Sequence, residues 1–294
     1  MNFWQRLFRR KTSPSPDRIQ TAPLDPGILA RSPAVPTSRR ILIGSAQSTG
    51  MERNHNEDSL FYLSGSSDGQ ERMPDFGLFV VADGMGGHRA GEVASSISVR
   101  TVARRLTSET ILRLFDLEPS DDSPSLQEVV QGALEEANAT VVDRVPGGGT
   151  TLTAAVWLGG QVTIGHVGDS RAYIINREAT RVVTRDHSLV QRLVELEQLT
   201  EEEAALHPQR NVLWNAIGQG ANLKVDVASH PVPQGGYVLL CSDGLWGTVS
   251  DAEIQRTVLT APDPQSACDQ LVQAANAAGG PDNITVILVY FPVA

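Results

Sequence analysis

The sequence predicts an α+β domain built on antiparallel strands, and three observations lead there. Short apolar runs of strand length recur from residue 41 onward, and glycine turns such as Gly159-Gly160 join consecutive runs. Helical periodicity is confined to a few separate stretches. Strands that follow one another through tight turns pair antiparallel, and helices grouped apart from them argue against a doubly wound parallel sheet.

The strand candidates are residues 41–46, 76–82, 151–157, 162–167, 172–175, 237–241 and 284–290. A first helix is expected over residues 90–106 through Val93, Ile97, Val102 and Leu106. A second buries Leu126, Val129, Val130, Ala133, Leu134, Ala137 and Val141, with Ser125 and Glu128 as its capping box. A third starts at Pro264 behind the cap residue Asp263 and buries Ala267, Leu271, Ala274 and Ala278. Residues 186–220 are more polar, follow what reads as a hairpin at V-G-D-S-R, and hold a further capping box at Thr200 and Glu203.

Residues 1–40 stand apart. They carry eight Arg or Lys against Asp17 and Asp25, which leaves 16 basic and 32 acidic residues in 41–294, a net charge of −16. Such a body repels nucleic acid, so no nucleic-acid partner is expected. Residues 11–39 are rich in Pro, Ser and Thr and read as a disordered linker. Ahead of it, Phe3, Trp4, Leu7 and Phe8 would share one face of a short helix with arginines opposite. That segment reads as a peptide for a membrane surface or a partner, as a frayed tail, or as a transit peptide. No apolar run reaches the roughly 20 residues that span a bilayer. The two cysteines, Cys241 and Cys268, form no disulfide framework. A cytoplasmic monomer is expected, with the tail as a peripheral membrane anchor in the alternative.

The residues that carry chemistry are carboxylates at the ends of apolar runs. Asp83 closes F-V-V-A-D-G-M-G-G-H, where glycines let the backbone turn and approach a bound group. Asp243 follows residues 237–241, Asp282 precedes residues 284–290, and Glu57 and Asp58 follow Asn56. Strand ends could bring these acids together, and uncompensated carboxylates call for cations. Oxygen ligands select hard ions, so Mg²⁺ or Mn²⁺ fits better than Zn²⁺. An Asp-Gly pair taken alone also starts an ordinary turn.

The ordered series N-E-D-S, D-G-M-G-G-H, G-G-T-T, V-G-D-S-R, T-R-D-H-S, C-S-D-G-L and D-N-I-T-V resembles the bacterial branch of the type 2C metal-dependent serine/threonine phosphatases over residues 41–290. The resemblance implies two antiparallel sheets packed face to face with helices on both outer sides, a catalytic domain over 41–294 and a flap at about 186–220 that selects substrate. It implies hydrolysis of phosphoserine and phosphothreonine in proteins, substrates of a serine/threonine kinase, by water activated between two Mn²⁺ or Mg²⁺ ions. Asp83 would bridge the ions, the Gly84 carbonyl would bind one, and Asp243 with Asp282 the other. Glu57 and Asp58 would act through water. Arg53, four residues before Glu57, would hold the phosphoryl group; in the alternative it is a solvated charge beside Glu52. Asp169 would help hold a third, weaker ion with Asp243, or would only cap its turn.

Met85 stands where eukaryotic members of that family carry a histidine thought to protonate the leaving group. His88 is expected to be structural, His166 a satisfied core histidine, and His187 an ordering residue of the flap. Cys241 lacks a C-x5-R cradle and reads as inert core. Two other functions compete: a non-catalytic phosphoprotein-binding scaffold, which would lack a metal ligand, and a two-metal nuclease, which would need a basic stripe.

Overall fold

The apolar runs fall into two five-stranded sheets. The computed structural model describes residues 40–67, 73–86, 89–116 and 124–293. The expectations for the N-terminal tail, the linker and His88 therefore fall outside the described residues, save for Arg40.

One sheet has the order β1 (Leu42–Ser48), β12 (Ile284–Phe291), β11 (Gly236–Cys241), β8 (Arg171–Ile175), β9 (Thr180–Val182). The other has the order β10 (Asp226–Pro231), β7 (Gln161–Val167), β6 (Leu152–Leu158), β3 (Phe76–Ala82), β2 (Ser59–Gly65). Every pairing in both is antiparallel. A small ladder joins β4 (Gly84–Met85) to β5 (Gly149–Thr150) beside the second sheet's end. The β6–β7 hairpin turns at Gly159-Gly160, with Gly159 at φ 58°, as its two-residue loop requires.

Alternation along each strand then dictates the layers. Phe79 and Val81 of β3 meet Val238 and Leu240 of β11 and Ile287 and Val289 of β12 between the sheets. Leu78, Val80 and Ala82 point the other way, under α1 (Arg89–Leu106) and α2 (Leu126–Arg144). Leu239 and Cys241 likewise turn outward under α6 (Asp251–Thr260) and α7 (Pro264–Ala277). Each fully buried aliphatic side chain in these layers contributes about 1.5–3 kcal/mol. The sandwich with helices on both sides is the architecture that the motif series implied.

Local details follow the sequence closely. Ser125 Oγ and Thr200 Oγ1 accept from the backbone N–H of Glu128 and Glu203, closing both capping boxes, and Asp263 caps α7 with Pro264 in the first turn. Thr200 opens α4 (Glu201–Ala205), behind α3 (Leu189–Glu195), and the one-turn α5 (Asp243–Trp246) follows β11. The buried face of α1 centres on Ala94, Ser98 and Val102, leaving Val93 and Ile97 at its margin, because small residues let the helix lie close to the sheet. Ala278 is exposed; it stands beyond the last turn of α7, and Cys268, Val272 and Ala275 fill that face instead.

The apparent hairpin at V-G-D-S-R is the main correction. β7 lies in one sheet and β8 in the other, so Gly168-Asp169-Ser170 is a crossover between sheets. Gly168 takes φ 108° there, a conformation that a Cβ would strain. Two neighbouring apolar runs carry no sign of whether they share a sheet.

Candidate active site

Antiparallel register collects the acidic residues at one end of the sandwich. Ser59 pairs with Ala82, which sets Asp58 beside Asp83; Cys241 pairs with Val286, which brings Ser242 onto Thr285, with Asp243 following and Asp282 preceding. The crossover delivers Asp169 to the same rim. Asp83, Gly84, Asp243, Asp282, Glu57 and Asp169 all line one cavity of about 280 Å³, with Arg53 at its edge.

Each acidic position is held by hydroxyl or amide groups. Asp83 is fixed through its backbone: its N–H donates to Thr151 Oγ1 at 2.9 Å, and its carbonyl accepts from Thr150 Oγ1 and from the Thr151 N–H, both at 2.8 Å. Asp58 is buried, and its Oδ2 accepts from Ser242 Oγ at 2.8 Å and Thr285 Oγ1 at 2.6 Å. Asn283 clips the 49–57 loop, donating to the Thr49 and His55 carbonyls and accepting from the Glu57 N–H at 2.7 Å. At Gly84 a Cβ would stand 2.5 Å from the carbonyl oxygens of Glu57 and Gly91, so only glycine lets the loop pass there.

Thr150, Thr151, Ser242, Asn283 and Thr285 are the positioning residues that sequence reasoning passed over. They sit inside the quoted motifs G-G-T-T, C-S-D-G-L and D-N-I-T-V. A hydroxyl or amide next to a carboxylate has no pattern of its own until the partner is known.

The electrostatics of the cavity are strongly unbalanced. Burial drives Asp58 up to about 7, even though Thr285 and Ser242 donate to it. Asp243 rises to about 6, first through burial and then through the charge of Asp282. Asp83 is pushed well above the usual carboxylate range by burial and then by Asp58, Asp243, Asp169 and Asp282. Asp169 is raised likewise, by burial and then by Asp243. Asp58 Oδ1 and Asp243 Oδ1 are buried without a hydrogen-bond partner, a costly state that a cation would relieve. Oxygen-only donors around such a pocket fit a hard divalent ion. Among the described residues, no group of three His, Cys, Asp or Glu side chains is gathered closely enough to hold an ion by itself.

Arg53 is not a charge beside Glu52: its Nη2 lies 2.7 Å from Asp282 Oδ2, while half of its side chain stays exposed at the cavity mouth. An adjoining cleft of about 380 Å³ shares Arg53, Asp243 and Asp282 and runs under α3 and α4, past Gln191, Arg210 and Trp246. Its wall is a braced unit. Arg171 grips buried Asp186 through Nε and Nη2, lies 3.7 Å over the Trp246 ring, and Trp246 Nε1 donates to the Asp169 carbonyl at 3.0 Å.

The other candidates have simple places. Met85 lines the cavity and has no proton to give. His166 is buried, bonded to Thr153 Oγ1 and near the Gly168 and Arg185 carbonyls, and burial lowers it to about 3. His187 ties the start of the flap segment to Asp226 and Asn215. Cys241 is core, its thiol pushed far up by burial; burial also pushes Cys268 to about 12.

A two-sheet sandwich with a rim of buried and half-buried carboxylates around one pocket is the architecture of a metal-dependent phosphatase. Residues 54–284 match the protein phosphatase 2C family, and the chain belongs to it. It is 36% identical over 246 residues to the serine/threonine phosphatase stp of Listeria innocua, spanning 82% of this chain and 92% of that one. It is 35% identical over 242 residues to the serine/threonine protein phosphatase PstP of Mycobacterium tuberculosis, spanning 81% of this chain and 43% of that longer protein. The fold is similar to the catalytic domain of PstP in complex with two manganese ions, at TM-score 0.67 and 30% identity over 85% of this chain and 99% of that one. It is also similar to the serine/threonine phosphatase Stp1 of Staphylococcus aureus, at TM-score 0.70 and 33% identity over 85% and 95%.

Proposed function

We propose that the chain hydrolyses phosphoserine and phosphothreonine in proteins, using metal ions held by Asp83, the Gly84 carbonyl, Asp243 and Asp282. One observation carries the reading: three acids raised by burial and mutual repulsion, Asp83, Asp169 and Asp243, face a single pocket together with Asp282, with an arginine at its mouth. Two Mn²⁺ or Mg²⁺ ions bound there would offset that charge and supply Lewis acidity and an ionisable water at neutral pH. Glu57, which lines the cavity, and Asp58, which is buried, would act through water; Asp169 with Asp243 would take a third, weaker ion.

The chain's own residues supply positioning. Arg53 exchanges Asp282 for two phosphoryl oxygens of the substrate, since a guanidinium fork matches that geometry and half of it is free of the wall. Thr150 and Thr151 keep the Asp83 backbone from moving as charge develops. The cleft under α3 and α4 takes the peptide on either side of the phosphorylated residue. The leaving alkoxide would take its proton from water, because Met85, which lines the cavity, has no proton to give.

No acidic position of the motif series is missing, which supports the catalytic reading over a scaffold. The partners would be phosphoproteins made by a serine/threonine kinase, met by a monomer in the cytoplasm. No helix among the described residues is long and apolar enough to cross a membrane. Residues 1–11 would dock weakly on an anionic membrane surface or a partner, aided by about 1 kcal/mol per basic residue near lipid. Turnover of phosphopeptides and p-nitrophenyl phosphate with Mn²⁺, with Mg²⁺ and in EDTA is the test. Activity that persists in EDTA would end the metal-dependent reading.

A further inference from the structure

A second cavity, of about 240 Å³, is lined by Arg185, Arg192, Lys224 and Trp214. It lies on the other side of the segment that walls the active site. Leu213 lines the carboxylate pocket while its neighbour Trp214 lines this one. On α3, Gln191 faces the substrate cleft and Arg192 faces the second cavity.

The charge here is reversed from that of the domain, which is net −16 over residues 41–294. Arg185 and Arg192 share a single carboxylate, Glu195, and Lys224 Nζ has Asp226 Oδ1 at 3.1 Å. The cations are also outermost: the side chains of Arg185, Arg192 and Lys224 are 44%, 53% and 52% exposed, against 23% for Glu195 and 31% for Asp226. The frame around them is preorganised. The Trp214 N–H donates to the His187 carbonyl, and the Asn215 amide holds the Lys224 backbone on both sides, at 2.8 and 3.1 Å. Trp214 offers an exposed ring, with Lys224 Nζ 5.9 Å from its centre.

We propose that this cavity is a second phosphate site, taking either inorganic phosphate or a further phosphorylated residue of the substrate. Two guanidinium forks and an ammonium match a compact dianion with three acceptor oxygens. An extended polyanion does not fit, because the acidic body around the cavity repels charge beyond its rim. The bound phosphate would take over the arginines from Glu195. The substrate source rests on the activity proposed above; binding of free phosphate does not.

The test uses the full chain carrying Arg53→Ala in EDTA, so that the carboxylate pocket has neither metal nor arginine for the ligand. Inorganic phosphate is titrated by calorimetry and by tryptophan emission. One site is expected, with an emission change that Trp214→Phe removes. Arg192→Ala with Lys224→Ala should weaken binding about tenfold or more, the loss of two charge-assisted contacts at an exposed site. Glu195→Gln should tighten it, because the competing carboxylate is gone; a merely structural role for these residues would not give opposite signs. Should the double variant unfold, Lys224→Ala alone carries the comparison. Affinity unmoved by those substitutions, or weakened by Glu195→Gln, overturns the proposal. The source is separated with the Mn²⁺-loaded chain: a lower KM for a doubly than for a singly phosphorylated peptide, lost in the double variant, assigns the substrate, and equal KM values assign free phosphate. A chain without turnover that still binds phosphate in EDTA would remove the activity and leave this site standing.

Discussion

Replacing Asp243 by Asn should abolish turnover and yet stabilise the metal-free protein. The carboxylate of Asp243 is held up at about 6 from an ordinary 3.8 by burial and by Asp282, and its Oδ1 has no hydrogen-bond partner. A shift of two units corresponds to about 3 kcal/mol, and water in the cavity that the group faces reduces this to about 1–2 kcal/mol. The sign follows from proton counting. Between 3.8 and about 6 the folded chain binds more protons at this group than the unfolded one, so wild-type stability falls as pH rises through that window. Asn cannot ionise and escapes the loss. Calorimetry in EDTA at pH 8 should place the Asp243→Asn midpoint above wild type by about 2–4 °C for a domain of this size. The gain should fade as pH is lowered and be gone below about 4, where both forms are neutral. Saturating Mn²⁺ should reverse the order, since a ligand at 100 times its Kd adds about 2.7 kcal/mol to the protein that binds it. A lower midpoint for Asp243→Asn than for wild type in EDTA at pH 8 would refute the reasoning, as would wild-type turnover.

Thr151→Val leaves the buried Asp83 N–H without an acceptor and should cost about 1–3 kcal/mol in urea unfolding together with activity, while Thr151→Ser restores both. Arg53→Ala should raise KM for phosphate esters and lower kcat with little change in metal titration; unchanged kinetics would return Arg53 to a surface charge. Asp169→Ala should blunt the response to high metal concentration and spare the two tight sites in calorimetry; loss of the tight sites would move Asp169 into the main cluster. Arg171→Lys breaks the fork on buried Asp186 and the stacking on Trp246, and should cost about 2–4 kcal/mol with a reduced kcat, read by denaturation and steady-state kinetics.

Local physics was legible in the sequence. Short apolar runs marked seven of the strands, caps such as Ser125 and Asp263 marked helix starts, and the acids at the ends of apolar runs marked the pocket. Strands β2, β9 and β10 and helices α3 and α6 escaped notice, although α6 carries its own signal in the cap Ser250 with Glu253 and in Ile254 and Val258 on one face. Asp83, Asp243 and Asp282 could be named as a set from the ordered motifs alone. Tertiary structure alone decided that V-G-D-S-R leaves one sheet for the other, that Arg53 rests on Asp282, and that Thr151, Ser242, Asn283 and Thr285 hold the acids in place. Only the packed fold could set Arg185, Arg192 and Lys224 around Trp214 in an acidic domain. The division has one physical reason: periodicity and capping act within a few residues, whereas sheet membership, charge pairing and desolvation depend on partners far away in sequence, 229 residues in the case of Arg53 and Asp282.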